Sequence, residues 1–84
     1  MYWDVVSVKP LSYLTLAVKF LDGLEGTVRL NPSYLTGVFE PLKDKEYFNQ
    51  VYIDHGVVTW PGELDLAPDA MHAKIKEKGE WLIS

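Results

Sequence analysis

Apolar and polar residues alternate with a period of two over most of this chain, and only a stretch near its C-terminal end shifts to helical spacing. The clearest alternation is Val51–Trp60, followed at once by Pro61-Gly62. With His55-Gly56 as a two-residue loop, Asp54 faces Val57, Ile53 faces Val58, Tyr52 faces Thr59 and Val51 faces Trp60. Val51, Ile53, Val58 and Trp60 then share one face, and Tyr52, Asp54, Val57 and Thr59 the other. A three-residue loop would set Thr59 against Val51 and mix the faces. Because a one-residue slip inverts every side chain, the apolar pattern selects the first register.

The remaining strands follow the same logic. Asp4–Pro10 predicts a first strand that ends at proline, which cannot donate to a ladder. Leu14–Phe20 turns Leu14, Leu16, Val18 and Phe20 inward, and Gly26–Leu30 turns Val28 and Leu30 inward. A two-residue loop at Asp22-Gly23 would oppose Val18 to Thr27 and Phe20 to Glu25. A five-residue loop, or a bulge at Gly26, instead pairs Val18 with Val28 and Leu16 with Leu30, and is the expected register.

Asn31-Pro32-Ser33 has the form of a capped helix start, with Tyr34, Leu35 and Val38 as one apolar turn. Asp44–Gln50 predicts a helical turn or loop anchored by Tyr47 and Phe48. Pro61-Gly62 suits the centre of a type II turn, leading to a short extended Glu63–Leu66. Pro68–Lys78 predicts a helix, with proline at its start, Asp69 in the first turn, lysines in the last, and Gly79 as the cap. Met71 and Ile75 are its core pair. Residues 80–84 form an apolar tail.

These elements make residues 1–84 a single α+β domain. The expected architecture is one antiparallel β-sheet of about five strands, built from two hairpins and packed on one face by the C-terminal helix. The expected core is Val6, Val8, Leu16, Val18, Phe20, Val28, Leu30, Val51, Ile53, Val58, Trp60, Met71 and Ile75, with Trp3 and Val5 competing to set the facing of the first strand.

Composition adds limits. With 48% hydrophobic and 24% charged residues, the 84-residue chain has the make-up of a soluble globule. A domain near this size buries roughly 60–65% of its unfolded surface. No cysteine is present, so disulfides and thiolate metal sites are excluded and a reducing compartment is expected. No apolar run reaches the roughly 20 residues of a membrane helix. The start, Met1–Val6, lacks the basic and apolar regions of an export signal, so the expected location is cytoplasmic. The net charge of −4 argues against nucleic acid as a partner of the chain alone. Seven acids (Glu40, Asp44, Glu46, Asp54, Glu63, Asp65, Asp69) stand against Lys43 and Lys45 between residues 40 and 69, before Lys74, Lys76 and Lys78 gather near the end. A basic partner could read that span, although a solvated surface also accounts for it.

Candidate chemistry is sparse. Phosphate-binding loops, a nucleophile elbow and a His-Glu-x-x-His helix are all absent. Of the two histidines, His55 is explained as a turn residue. Asp69 and His72, at i and i+3 with Asp65 just upstream, form a weak candidate metal site. The plainer account is a helix-start aspartate beside a solvated histidine. Glu25, Glu63 and Asp65 are scattered carboxylates, and Trp60 closes a strand on its apolar face and belongs in the core. Trp81, Leu82 and Ile83 are candidate partner-binding residues. Burying them is worth on the order of 5–8 kcal/mol, so they are expected to dock near Tyr2, Trp3 or Tyr13, in their own chain or across a two-fold dimer.

The order of features resembles a known family. A proline-ended strand precedes Leu14-x-Leu16-x-Val18-x-Phe20-x-Asp22-Gly23 and Val28-x-Leu30. Phe39-x-x-Leu42, Phe48-x-x-Val51 and Trp60-Pro61-x-x-x-Asp65-Leu66-x-Pro68-Asp69 follow. From Val5 to about Ile75 this is similar to the short bacterial proteins grouped as domain of unknown function 2442. The resemblance implies an α+β domain encoded in prokaryotes, with no catalytic residues or cofactor to carry over. It also implies a helix-turn-helix that sometimes follows, and pairing with a second small protein in the manner of toxin–antitoxin modules. A chain ending at Ser84 is expected to lack such a DNA-reading pair.

The expected function is therefore a non-enzymatic protein-interaction module, the acidic member of a two-component pair, that binds its own copy or a small basic protein. The alternatives are a small metal- or ligand-dependent enzyme using Asp65, Asp69 and His72, and a nucleic-acid accessory domain. The last requires Lys74, Lys76 and Lys78 to be joined in space by Lys9, Lys19 or Arg29.

Overall fold

The computed structural model describes residues 1–83; Ser84, the end of the apolar tail, lies outside the described residues. In chain order the strands are β1 (Val5–Ser12), β2 (Thr15–Phe20), β3 (Glu25–Leu30), β4 (Tyr52–Asp54), β5 (Val57–Trp60), β6 (Leu64–Leu66) and β7 (Glu80–Ile83). The helices are α1 (Lys45–Phe48) and α2 (Pro68–Lys78), with 3-10 turns at Pro32–Tyr34 and Gly37–Lys43. The single five-stranded sheet is corrected to two: a four-stranded sheet ordered β1-β2-β3-β7 and a three-stranded sheet ordered β4-β5-β6. The connector between β3 and β4 plants Leu35, Leu42 and Phe48 in the core, all fully buried.

The β4–β5 hairpin has the expected register, with Tyr52 paired to Thr59, Ile53 to Val58 and Asp54 to Val57. His55 and Gly56 both have positive φ, at 50° and 79°, as a type I′ turn demands. Gly56 is also fixed by a close approach. A Cβ there would lie 2.8 Å from the Asp4 side chain, beside the Val5 N–H to Gly56 carbonyl bond of 2.8 Å that ties the two sheets together.

The β2–β3 register differs from expectation. Leu16 pairs with Val28 and Val18 with Gly26. The loop is Leu21-Asp22-Gly23, closed by Phe20 N–H to the Leu24 carbonyl at 2.8 Å and tightened by Leu24 N–H donating to Asp22 Oδ1 at 3.0 Å. The shift is an even number of residues, so Leu16, Val18, Phe20, Val28 and Leu30 remain inward and buried. Gly26 is no bulge; it is where α2 touches the sheet. A Cβ on it would lie 2.4 Å from Ile75 Cγ2 and 2.7 Å from the Gly79 carbonyl. Gly26→Ala should therefore cost about 1–3 kcal/mol, the usual range for overpacking, read as a lower urea midpoint. Pairing it with Ile75→Ala should destabilise by less than the sum of the two single changes, because they share one contact.

β1 corrects two expectations. It runs through Pro10 to Ser12, which is possible because it is an edge strand whose outer side needs no donor there. A register shift between Val5 and Ser7 then puts Val5 in the core at 2% exposure and leaves Val6 outside at 48%. Val8 is partly buried, as are Val51 and Ile53. In the connector after β3 Leu35 is buried but Val38 is 70% exposed, because two separate 3-10 turns, broken at Leu35 and Thr36, stand where one helical turn was expected.

α2 occupies the expected residues, with Met71 and Ile75 buried and Gly79 capping at φ 79°. The tail beyond it is a strand. β7 pairs in parallel with β3, Thr27 facing Glu80 and Leu30 facing Ile83. It thus docks within its own chain on β3, and of the three expected neighbours it is Tyr13 that borders a depression together with Leu82.

Candidate protein-interaction surface

The three-stranded sheet has two unlike faces. Val58, Trp60, Leu64 and Leu66 point into the core and are buried. Trp60 Nε1 donates to the Phe48 carbonyl at 2.8 Å, and Tyr47 Oη donates to the Pro61 carbonyl, clamping the β5–β6 turn. By alternation, the opposite face carries Tyr52, Asp54, Val57, Thr59 and Asp65, with Tyr52, Thr59 and Asp65 in one cross-strand row.

This outer face frames a depression of ≈ 520 Å³ whose rim holds Asp54, Glu63 and Asp65 with Tyr52 and His55, and no lysine or arginine. Tyr52 is 45% exposed, offering a large amphipathic ring beside the acids. Thr59 is buried there and donates its hydroxyl to the Val57 carbonyl at 2.9 Å. His55 Nδ1 lies 2.7 Å from Asp54 Oδ1 in solvent, where such a pair is worth little. Glu63 has φ 68°, left-handed backbone that a side chain rarely adopts. Its carboxylate is therefore presented from a constrained turn.

The candidate metal residues do not converge. Asp65 lies on this acidic face, while Asp69 and His72 border a separate depression of ≈ 320 Å³ with Tyr2, Trp3, Asp22 and Lys76. Among the described residues, no three His, Asp or Glu side chains are placed to hold a metal ion. Asp69 Oδ1 accepts from Ala70 N–H at 2.9 Å, a helix-start role.

His72 is buried, not solvated. Its Nε2 lies 2.8 Å from Asp22 Oδ2, and its ring meets Tyr2 and Phe20 edge-on at 4.9 Å each. A carboxylate only accepts, so Nε2–H is the donor. The partners are fifty residues apart, and no local pattern signals such a pair. Together they fasten the β2–β3 loop to α2. The hydrogen bond from His72, followed by that from Leu24 N–H, holds the Asp22 carboxyl below its ordinary value. A depressed carboxyl favours the fold above the ordinary value of about 3.9, and this contribution fades as pH falls through the lowered value. The melting-temperature advantage of the natural chain over Asp22→Asn should thus be full at neutral pH and shrink steadily below about pH 4.

His72 is hydrogen-bonded to Asp22, and His55 lies beside Asp54. The cations expected for nucleic acid are also divided. Lys9, Lys19 and Arg29 alternate with inward residues and lie on the outer face of the four-stranded sheet, paired to Ala17, Ser7 and Thr15. α2, with Lys74, Lys76 and Lys78, packs on the inner face through Ile75. The sheet stands between the two groups.

Trp81 is half-buried, Ile83 is buried, and Leu82 remains 58% exposed. The family model described as a protein of unknown function, DUF2442, matches residues 5–77. The chain belongs to the DUF2442 family. No curated protein and no solved structure matches it significantly. The matched region spans β1 through nearly all of α2, so the two-sheet core with its acidic outer face lies within the DUF2442 match, and β7 follows it. No helix is long and apolar enough to cross a membrane among the described residues.

Proposed function

We propose that this DUF2442 protein is a non-catalytic protein-interaction module whose acidic sheet face receives a basic segment of a second protein, as one member of a toxin–antitoxin-like pair. The observation that carries this is the depression on the β4-β5-β6 sheet, where Asp54, Glu63 and Asp65 stand with Tyr52 and no lysine or arginine in the lining. A rim of carboxylates without lysine or arginine steers a basic surface, and an exposed tyrosine supplies contact area with little entropy to lose.

The test is affinity isolation of the tagged chain from its native host beside the Asp54→Asn/Glu63→Gln/Asp65→Asn variant. These three positions are exposed, so the variant should keep its melting temperature. The natural chain should retain one basic protein at near-equimolar yield at low ionic strength and release it as salt is raised, and the variant should lose it. Equal retention by both, or recovery of the natural chain alone as a monomer, would defeat the proposal. Glu63→Gly separates stability from function. Relief of the left-handed backbone should raise stability by up to about 1 kcal/mol, while partner retention falls.

A further inference from the structure

Sheet edges are sites where another chain can add, and proteins blunt them with proline, bulges or very short strands. In this molecule β1 carries Pro10 and a register shift after Val5, and β4 and β6 are three residues each. The four-residue β7, at the other edge of the larger sheet, has no proline and no register shift. The Gly79 and Ile83 carbonyls accept from Thr27 and Asn31 N–H. By the alternation of a strand, Glu80 and Leu82 therefore turn their N–H and C=O groups to the open side.

Beside this edge lies a depression of ≈ 470 Å³ lined by Lys74, Lys78, Glu80, Trp81 and Leu82. Lys74 and Lys78 are one helical turn apart on α2 and both exposed. We propose that the open edge of β7 takes up an extended acidic segment of a partner protein as an added strand. Its carboxylates would face Lys74 and Lys78 on the helix side, and its apolar residues would lie against Leu82 on the other. This deepens the interaction-module reading and rests on it, but uses a different surface from the acidic face.

Charge selects this occupant over a second copy. Antiparallel self-pairing of Glu80 with Leu82 about a two-fold axis would set the two α2 helices on one face of the joined sheet and bring Lys74 and Lys78 of one copy towards those of the other, where like charges repel. An acidic strand makes the same backbone bonds with attraction in place of repulsion.

The probe is an eight-residue peptide of alternating glutamate and valine, acetylated and amidated, with a lysine–valine peptide as its counterpart. Added at up to millimolar concentration, the glutamate peptide should slow amide hydrogen exchange at Glu80 and Leu82, read by NMR. Lys74→Glu/Lys78→Glu should weaken this roughly tenfold or more, with an unchanged melting curve. Asp54→Asn/Asp65→Asn should leave it intact, so failure here is distinct from failure of the acidic-face proposal. Equal protection by the lysine peptide would overturn the inference, as would no protection at either amide. Protection that grows with protein concentration in the absence of peptide would assign the edge to a second copy and overturn it too.

Discussion

Truncating Trp60 to alanine should remove about 3–5 kcal/mol of folding stability, the largest single-residue effect expected in this protein. Trp60 is fully buried, stacks at a tilt on Phe48 with ring centroids 5.9 Å apart, and donates its indole N–H to the Phe48 carbonyl. It thereby joins β5 to α1, part of the connector from β3 to β4. Its loss opens a cavity and strips a buried carbonyl of its strongest donor, and the two costs add. At about 4–8 °C per kcal/mol for a domain of this size, the melting temperature should fall by at least roughly 12 °C. Trp60→Phe keeps most of the packing and loses the hydrogen bond, so it should fall between the two. A drop of only a few degrees for Trp60→Ala would show that the connector does not depend on this anchor.

Deleting residues 81–84 should be nearly as costly. The deletion removes the buried Ile83 and the half-buried Trp81, and full burial of a side chain such as Ile83 is worth about 1.5–3 kcal/mol alone. It also removes the Asn31 N–H to Ile83 carbonyl bond of 2.8 Å, which fixes the exit from β3. A melting-temperature loss of roughly 10–20 °C is expected. The deletion uncovers the edge of β3 at Arg29 and Asn31, so the shortened chain should also associate at higher concentration. An unchanged melting curve with an unchanged elution volume would show that β7 contributes nothing to the fold.

Legibility tracked periodicity. The β4–β5 hairpin and α2 were readable residue by residue, because a period-2 pattern and a capped helical pattern each admit only one arrangement of apolar faces. The β2–β3 facing was readable and its register was not. A shift of two residues changes no face, and the deciding contact, Ile75 against Gly26, joins residues far apart in sequence. The bulge that seats Val5 in place of Val6 likewise obeys no periodic rule. Leu35 caps one 3-10 turn, Leu42 lies in a second and Phe48 ends a single helical turn, and in such short pieces burial follows tertiary packing alone.

The candidate site was legible in a different way. The hairpin register already grouped Tyr52 and Asp54 on one face with Thr59. Asp65 and Glu63 joined that face only through the β5–β6 turn, whose tightness depends on the Tyr47 bond to Pro61. The spacing of Asp69 and His72 suggested a shared ligand, but the partner His72 takes is Asp22, in a loop supplied by the other sheet.

The most direct test of the central claim is zero-length carboxylate-to-amine cross-linking of the chain in extracts of its native host, with the linked residues mapped by mass spectrometry. Links from Asp54, Glu63 and Asp65 to lysines of one second protein are the predicted result. Links confined to the chain itself, or joining that protein through carboxylates away from the β4-β5-β6 face, would contradict it.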